Sequence, residues 1–168
     1  MNTSYSIHLS LKRSSLLYEI EMDSYLVGET MQTDDYKQRS NIEDVGEVGR
    51  VDKITLCMEK SWNELLHKLS PYIGERLCAE VSVDDSFIAR ESYDVTIRVP
   101  VGFSKCHSDV VCNSMHSYLV NRTLFYWFGI VKRDECDRYF NYSEEDIHRL
   151  NGYLNHRIGP IRIHQHPF

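Results

Sequence analysis

Eight histidines and five cysteines are the residues best suited to metal or nucleophilic chemistry in this 168-residue chain, and their spacing favours neither. His164 and His166 alternate near the C-terminus with His156 upstream, so an extended segment would turn two imidazoles to one side. A zinc site needs three or four converging ligands held in place by a second shell, and a tail beyond the last helix is a poor frame for them. Cys106 and His107 are adjacent, so their side chains diverge, and a Cys–His dyad would need a distant partner. Cys57, Cys78, Cys106, Cys112 and Cys136 form no C-x-x-C pair and are odd in number, which predicts free thiols in a reducing compartment.

Carboxylates cluster at Asp34-Asp35, Asp84-Asp85 and Glu144-Glu145-Asp146. An acid–base pair needs two environments that separate the pKa values, and all three clusters read as solvated surface. Gly46-Glu47-Val48-Gly49 lacks the lysine and hydroxyl residue of a phosphate loop. Phe125, Tyr126, Trp127 and Phe128 resemble a base-stacking platform, but no basic residues interleave them and they read as helix packing. Arg122, amid apolar neighbours, must snorkel, pair in a buried ion pair or meet an interface. No catalytic residue and no cofactor are expected.

The elements that would position these residues are mostly helical. Ile7, Leu9 and Leu11 alternate with Ser6, His8 and Ser10, which is the period of a short strand or extended arm. Leu16, Leu17, Ile20, Tyr25 and Val27 suit a short amphipathic helix capped by Ser14 or Ser15 and ended by Gly28. Residues 29–44 are polar without periodicity and read as a long surface loop. Helical spacing then runs from Val45 to Leu69, with a start nearer Asp52 equally compatible, and Pro71 stops it. Leu77–Val83 and Tyr93–Val99 read as two antiparallel strands joined by a loop, a sheet that the N-terminal arm or the tail could extend. A helix opening at Ser108 or Asp109 is apolar nearly all round in its second half and should sit centrally. Asp134 caps a last helix to Arg157; Ser143-Glu144-Glu145-Asp146 could restart it, but continuous periodicity favours one helix.

These elements make a single, mainly α domain over 1–168: about four helices in a bundle, a small antiparallel β element near 77–99, and extended arms at both ends. Residues 1–13 form the N-terminal arm, 14–157 the body and 158–168 a tail. Net charge is −6, yet residues 147–168 hold Arg149, Arg157 and Arg162, four histidines and no acid. An acidic protein repels nucleic acid at long range, and three arginines are too few for a DNA-reading face. No apolar run approaches the ~18 residues of a membrane span, and the N-terminus lacks signal-peptide features, so synthesis and residence in the cytoplasm are expected. A compact domain gains little from an apolar, basic tail past its last helix; a protein that docks on a neighbour gains much.

Leu11-Lys12-Arg13-Ser14-Ser15-Leu16-Leu17-Tyr18-Glu19-Ile20 closing at Gly28-Glu29 resembles the start of small proteins from the structural-gene blocks of tailed phages and prophages. His116-Ser117-Tyr118-Leu119-Val120, Tyr126-Trp127-Phe128 and a Pro-x-Arg tail, here Pro160-Ile161-Arg162, are similar to the same group. The resemblance implies a virion structural protein of the neck, a head–tail connector or adaptor under the portal, made in the host cytoplasm. Such adaptors form rings, commonly dodecamers, whose extended ends reach neighbouring subunits, the portal or other neck and tail proteins. DNA would pass nearby without sequence-specific binding, past an acidic surface to which it does not stick. Docking would fall to Arg157, Ile158, Pro160, Ile161, Arg162, Ile163, His164 and Phe168, with Phe168 and Ile163 as anchors and Arg157 and Arg162 fixing orientation. A tail-completion or terminator protein, or another neck ring, is the alternative within this class. An intracellular metal-binding enzyme or regulator using the C-terminal histidines is the alternative outside it.

Overall fold

The computed structural model describes residues 5–30, 36–43, 45–46, 48–73, 89–99, 103 and 107–155. It is mainly α with a small two-stranded antiparallel sheet, as the periodicities predict. In chain order come β1 (Tyr5–Lys12), α1 (Arg13–Glu29), α2 (Tyr36–Glu43), α3 (Val48–Lys68), β2 (Ser92–Val99), α4 (His107–Val131) and α5 (Arg133–Asn155).

The N-terminal segment is the strand that pairs with Ser92–Val99, whereas the predicted strand at 77–83 lies outside the described residues. Leu11 faces Tyr93, Leu9 faces Val95 and Ile7 faces Ile97, so the apolar residues of both strands share one face. The opposite face, with Ser6, His8, Ser10, Asp94, Thr96 and Arg98, is exposed. A two-stranded sheet is marginal in water unless it packs on something. Here Tyr93 sits against Trp62 of α3, ring centroids 5.3 Å apart, and both side chains are essentially inaccessible.

The chain passes from β1 into α1 without a loop. Lys12 is extended and caps with no side chain, and the Arg13 amide instead donates to the Glu91 carbonyl at 3.0 Å, prolonging the sheet pairing into the helix. Ser14 and Ser15, expected as caps, lie inside the first turn and are exposed. Gly28, expected to end the helix, is buried inside it; a Cβ there would come within 2.5 Å of Glu43 Cγ. Glycine at 28 is a close-approach residue that lets the next helix pack. The end falls at Thr30, whose hydroxyl donates to the Val27 carbonyl at 3.0 Å.

That packing corrects the reading of 29–44 as a surface loop. Residues 36–43 form a helix held to α1 by Ile42, which is fully buried, and by Ser24 Oγ donating to the Ile42 carbonyl at 2.6 Å. One apolar residue leaves no periodicity to detect. α3 starts at Val48, between the two starts expected, and buries Ile54, Met58, Trp62 and Leu65.

α4 and α5 are joined by Lys132 alone, so α5 begins one residue before Asp134. They run antiparallel along their whole length: Phe128 stacks on Tyr139 at 5.0 Å, Phe125 meets Phe140 at 5.4 Å, Asn121 reaches Asp146, and His107 approaches Tyr153. α5 is unbroken at Ser143, whose hydroxyl donates back to the Phe140 carbonyl at 2.7 Å instead of capping a new helix. α4 is covered on several sides, burying Val111, Met115, Leu119, Leu124 and Phe128 among others.

Phe128 has no accessible surface and stacks on Tyr139. Phe128→Ala should cost about 3–5 kcal/mol in urea unfolding, by lost transfer energy plus a residual cavity; a loss below about 1 kcal/mol would show that the stack with Tyr139 is not part of the core.

Candidate functional site

The buried polar groups of the body hold helices together. Arg122 on α4 is half-buried and pairs with Glu64 on α3, Nε to Oε2 at 2.7 Å. Tyr126 donates to the other oxygen of the same carboxylate, and Lys68 reaches Glu144 on α5 at 2.8 Å. The Arg122 guanidinium also lies 4.8 Å from the Phe125 ring centre and 5.1 Å from that of Phe140, and Lys60 sits 3.9 Å over Tyr126. The aromatic run thus packs as expected, but cations from two helices cover its half-exposed rings, which sequence adjacency could not reveal. Burial and the bond to Glu64 push the Tyr126 phenol up to about 12. Burial also raises Tyr118, whose hydroxyl has no hydrogen-bond partner among the described residues.

The carboxylates 144–146 do not form one solvated cluster. Successive helical residues turn by about 100°, so Glu145 faces water beside Arg149, Glu144 faces α3, and Asp146 is buried against α4. Burial raises the Asp146 pKa, and the Asn121 amide donating at 2.7 Å partly opposes this. Asp34-Asp35 and Asp84-Asp85 lie outside the described residues, as do Cys78, Cys106, His156, His164 and His166. Cys57, Cys112 and Cys136 are free thiols. Among the described residues no three of histidine, cysteine, aspartate and glutamate gather as metal ligands, and no helix is long and apolar enough to cross a membrane.

The surface feature that packing leaves unexplained is on α1. One face, with Leu16, Ile20, Ser24 and Val27, enters the core. The other carries Tyr18, Met22, Tyr25 and Leu26, at the i, i+4, i+7, i+8 spacing of a helical stripe, and it is open to solvent, Tyr18 by 66% and Leu26 by 51%. Glu19, Asp23 and Glu29 flank it, and residues 14–30 contain no lysine or arginine. Glu19 is engaged by His116, whose Nε2 lies 2.7 Å from Oε2.

At Leu26 the stripe opens into a cleft of about 250 Å³ lined by Asp23, Val27, Asn121, Arg138, Tyr139 and Tyr142, among others. Among the described residues its one cation is Arg138, whose Nε donates to Tyr142 Oη at 3.0 Å and whose Nη1 lies 3.6 Å from Glu135. Burial, then the charge of Glu19, raises the Asp23 pKa, while Arg138 lowers it in part. Tyr25, expected on the core face with Leu16 and Ile20, belongs to this exposed stripe. The signal was there in Tyr18, Met22 and Leu26, a second apolar set on the same turns.

The residues expected to dock, Arg157, Ile158, Pro160, Ile161, Arg162, Ile163, His164 and Phe168, all lie outside the described residues.

Two predictions follow from these sites. Removing Glu64 strands Arg122 between aromatic rings, so Glu64→Ala should cost about 2–3 kcal/mol in chemical denaturation, less than a fully buried pair because water reaches the carboxylate. Glu145→Ala, beside exposed Arg149, should change stability by under about 0.5 kcal/mol; equal losses for the two would contradict the assignment. Asp23, with its folded-state pKa raised, favours folding fully only below the ordinary aspartate pKa of about 3.9 and opposes it as pH rises through the raised value. Asp23→Asn should therefore melt above wild type at neutral pH, with the difference closing in acid; a lower melting temperature at neutral pH would contradict this sign.

Comparison with protein-family models, with curated proteins and with solved structures found no match for the chain.

Proposed function

We propose that this chain is a structural subunit of a tailed-phage particle, an adaptor of the head–tail connector that assembles as a ring beneath the portal and docks through residues 158–168. The observation that carries the reading is the second apolar face of α1. A helix that already gives one side to the core has no folding reason to present tyrosine, methionine and leucine along the other. Such a stripe fits a protein whose business is contact with other polypeptides, and the resemblance of the α1 and α4 segments to phage structural proteins supplies the setting.

A rigid body and adhesive ends divide the labour of an assembly subunit. The polar groups of the body are spent on ties between helices: Glu64 to Arg122, Glu144 to Lys68, Asp146 to Asn121. The net charge of −6 suits a wall along which DNA slides, because phosphate contacts dominate affinity for DNA. In a ring each contact is heterologous, one patch on one copy meeting a different patch on the next.

Deletion of residues 159–168 should leave a monomer with wild-type helical content and melting temperature that no longer enters the assembly, read by sedimentation velocity and negative-stain microscopy. Complete particles recovered from that truncation would overturn the role given to the tail.

A further inference from the structure

We infer that the outer face of α1, with the cleft at Asp23, is the seat for the C-terminal segment 157–168 of a neighbouring copy of this chain. The inference rests on the reading that the tail grips another polypeptide, and adds where and on what. Charge complementarity selects the occupant. The face has Glu19, Asp23 and Glu29 and no lysine or arginine along residues 14–30, and the Arg138 of the cleft is paired with Glu135; the tail has Arg157, Arg162 and two histidines and no acid. Apolar character matches as well, Tyr18, Met22, Tyr25 and Leu26 on one side and Ile158, Ile161, Ile163 and Phe168 on the other.

Size points the same way. At about 250 Å³ the cleft falls below the range of about 300–1,000 Å³ that holds small-molecule ligands. It suits one large anchoring side chain, Phe168 or Ile163, between Leu26 and Tyr142. Asp23 at its edge is a carboxylate whose ionisation burial and Glu19 oppose and Arg138 favours, and a guanidinium brought by the tail would add a second charge on the favourable side. Arg162 is placed to supply it.

The geometry of α5 favours a neighbour's tail over the subunit's own. Tyr142 lines the cleft and Asn155 ends the helix thirteen residues on, about 20 Å away along the axis. The seven residues from there to Arg162 span at most about 25 Å when fully extended. To bring Arg162 to Asp23 on its own body, the chain would use nearly all of that reach along α5, before crossing to α1. A tail from the next copy has no such limit. Tail onto α1, repeated from copy to copy, is a head-to-tail contact, which makes a ring where the rotation between copies closes.

The test is a charge exchange in the full-length protein. Asp23→Arg and Arg162→Glu should each weaken self-association about tenfold or more in sedimentation velocity, and the double variant should regain most of it. Leu26→Ser, at an exposed position, should weaken association with unchanged melting temperature, which guards against misfolding of the charge variants. A labelled synthetic peptide of residues 156–168 should bind the full-length protein in a salt-sensitive manner and lose binding to Asp23→Arg. Association unaffected by changes on α1 but abolished by removing 159–168 would overturn this seat and leave the tail's role standing; association unaffected by both would remove that role too. A swap that restores only the melting temperature would put the tail on its own subunit. Tail-dependent capture of portal protein untouched by Asp23→Arg would put it on the portal. Either outcome, or a wild-type chain that stays monomeric with no peptide binding, would overturn the proposal.

Discussion

A single constraint organises this fold: α4 is apolar around most of its circumference and has to be covered. Twenty-five residues long, it buries Val111, Met115, Tyr118, Leu119, Leu124, Trp127 and Phe128, which point in different directions. One partner helix cannot shield such a surface. α5 folds back along its full length through a one-residue link, α3 packs on a second side, and α1 with β1 closes a third. The sheet is a consequence of this arrangement, since β1 leads directly into α1 and β2 docks through Tyr93 on Trp62 of α3.

Polar interactions then fix which way the covering helices face. Arg122 sits on the rim of α4, where α3 and α5 both come close, and its pairing with Glu64, its proximity to Glu144 and its position over Phe125 and Phe140 tie three helices at one point. Asn121 and Asp146 do the same on the adjoining side of the α4–α5 pair. These groups are engaged mainly with one another, as ties between helices. The chemistry available to a partner lies on α1, where apolar and acidic side chains alternate with little cationic company.

Much of this architecture was legible in the residues. Alternation in Tyr93–Val99 identifies β2 and leaves Ile7–Leu11 as a strand or an extended arm, and threefold and fourfold spacing identifies α3, α4 and α5. The demand that Arg122 be paired, read from its apolar neighbourhood, is met by Glu64. Pairing between β1 and β2 was only one option among several, because it joins residues more than eighty positions apart and nothing local encodes the choice. α2 shows no periodicity in the sequence, since Ile42 is its one buried anchor among the described side chains, and Gly28 reads as a terminator because a close-approach glycine looks the same in sequence. The proposed seat was half legible: the tail stood out by composition, but the α1 stripe became visible only once the helix's other face was known to be in the core.

The central claim is that the outer face of α1 is a protein-binding surface in the assembled state. Hydroxyl-radical footprinting across a dilution series measures it directly, because Tyr18, Met22 and Tyr25 report on the face and Tyr5, exposed on β1, serves as an internal reference. The account predicts that modification of Tyr18, Met22 and Tyr25 falls several-fold as the protein assembles, while Tyr5 reacts at a constant rate. Equal reactivity of α1 in free and assembled protein would contradict it.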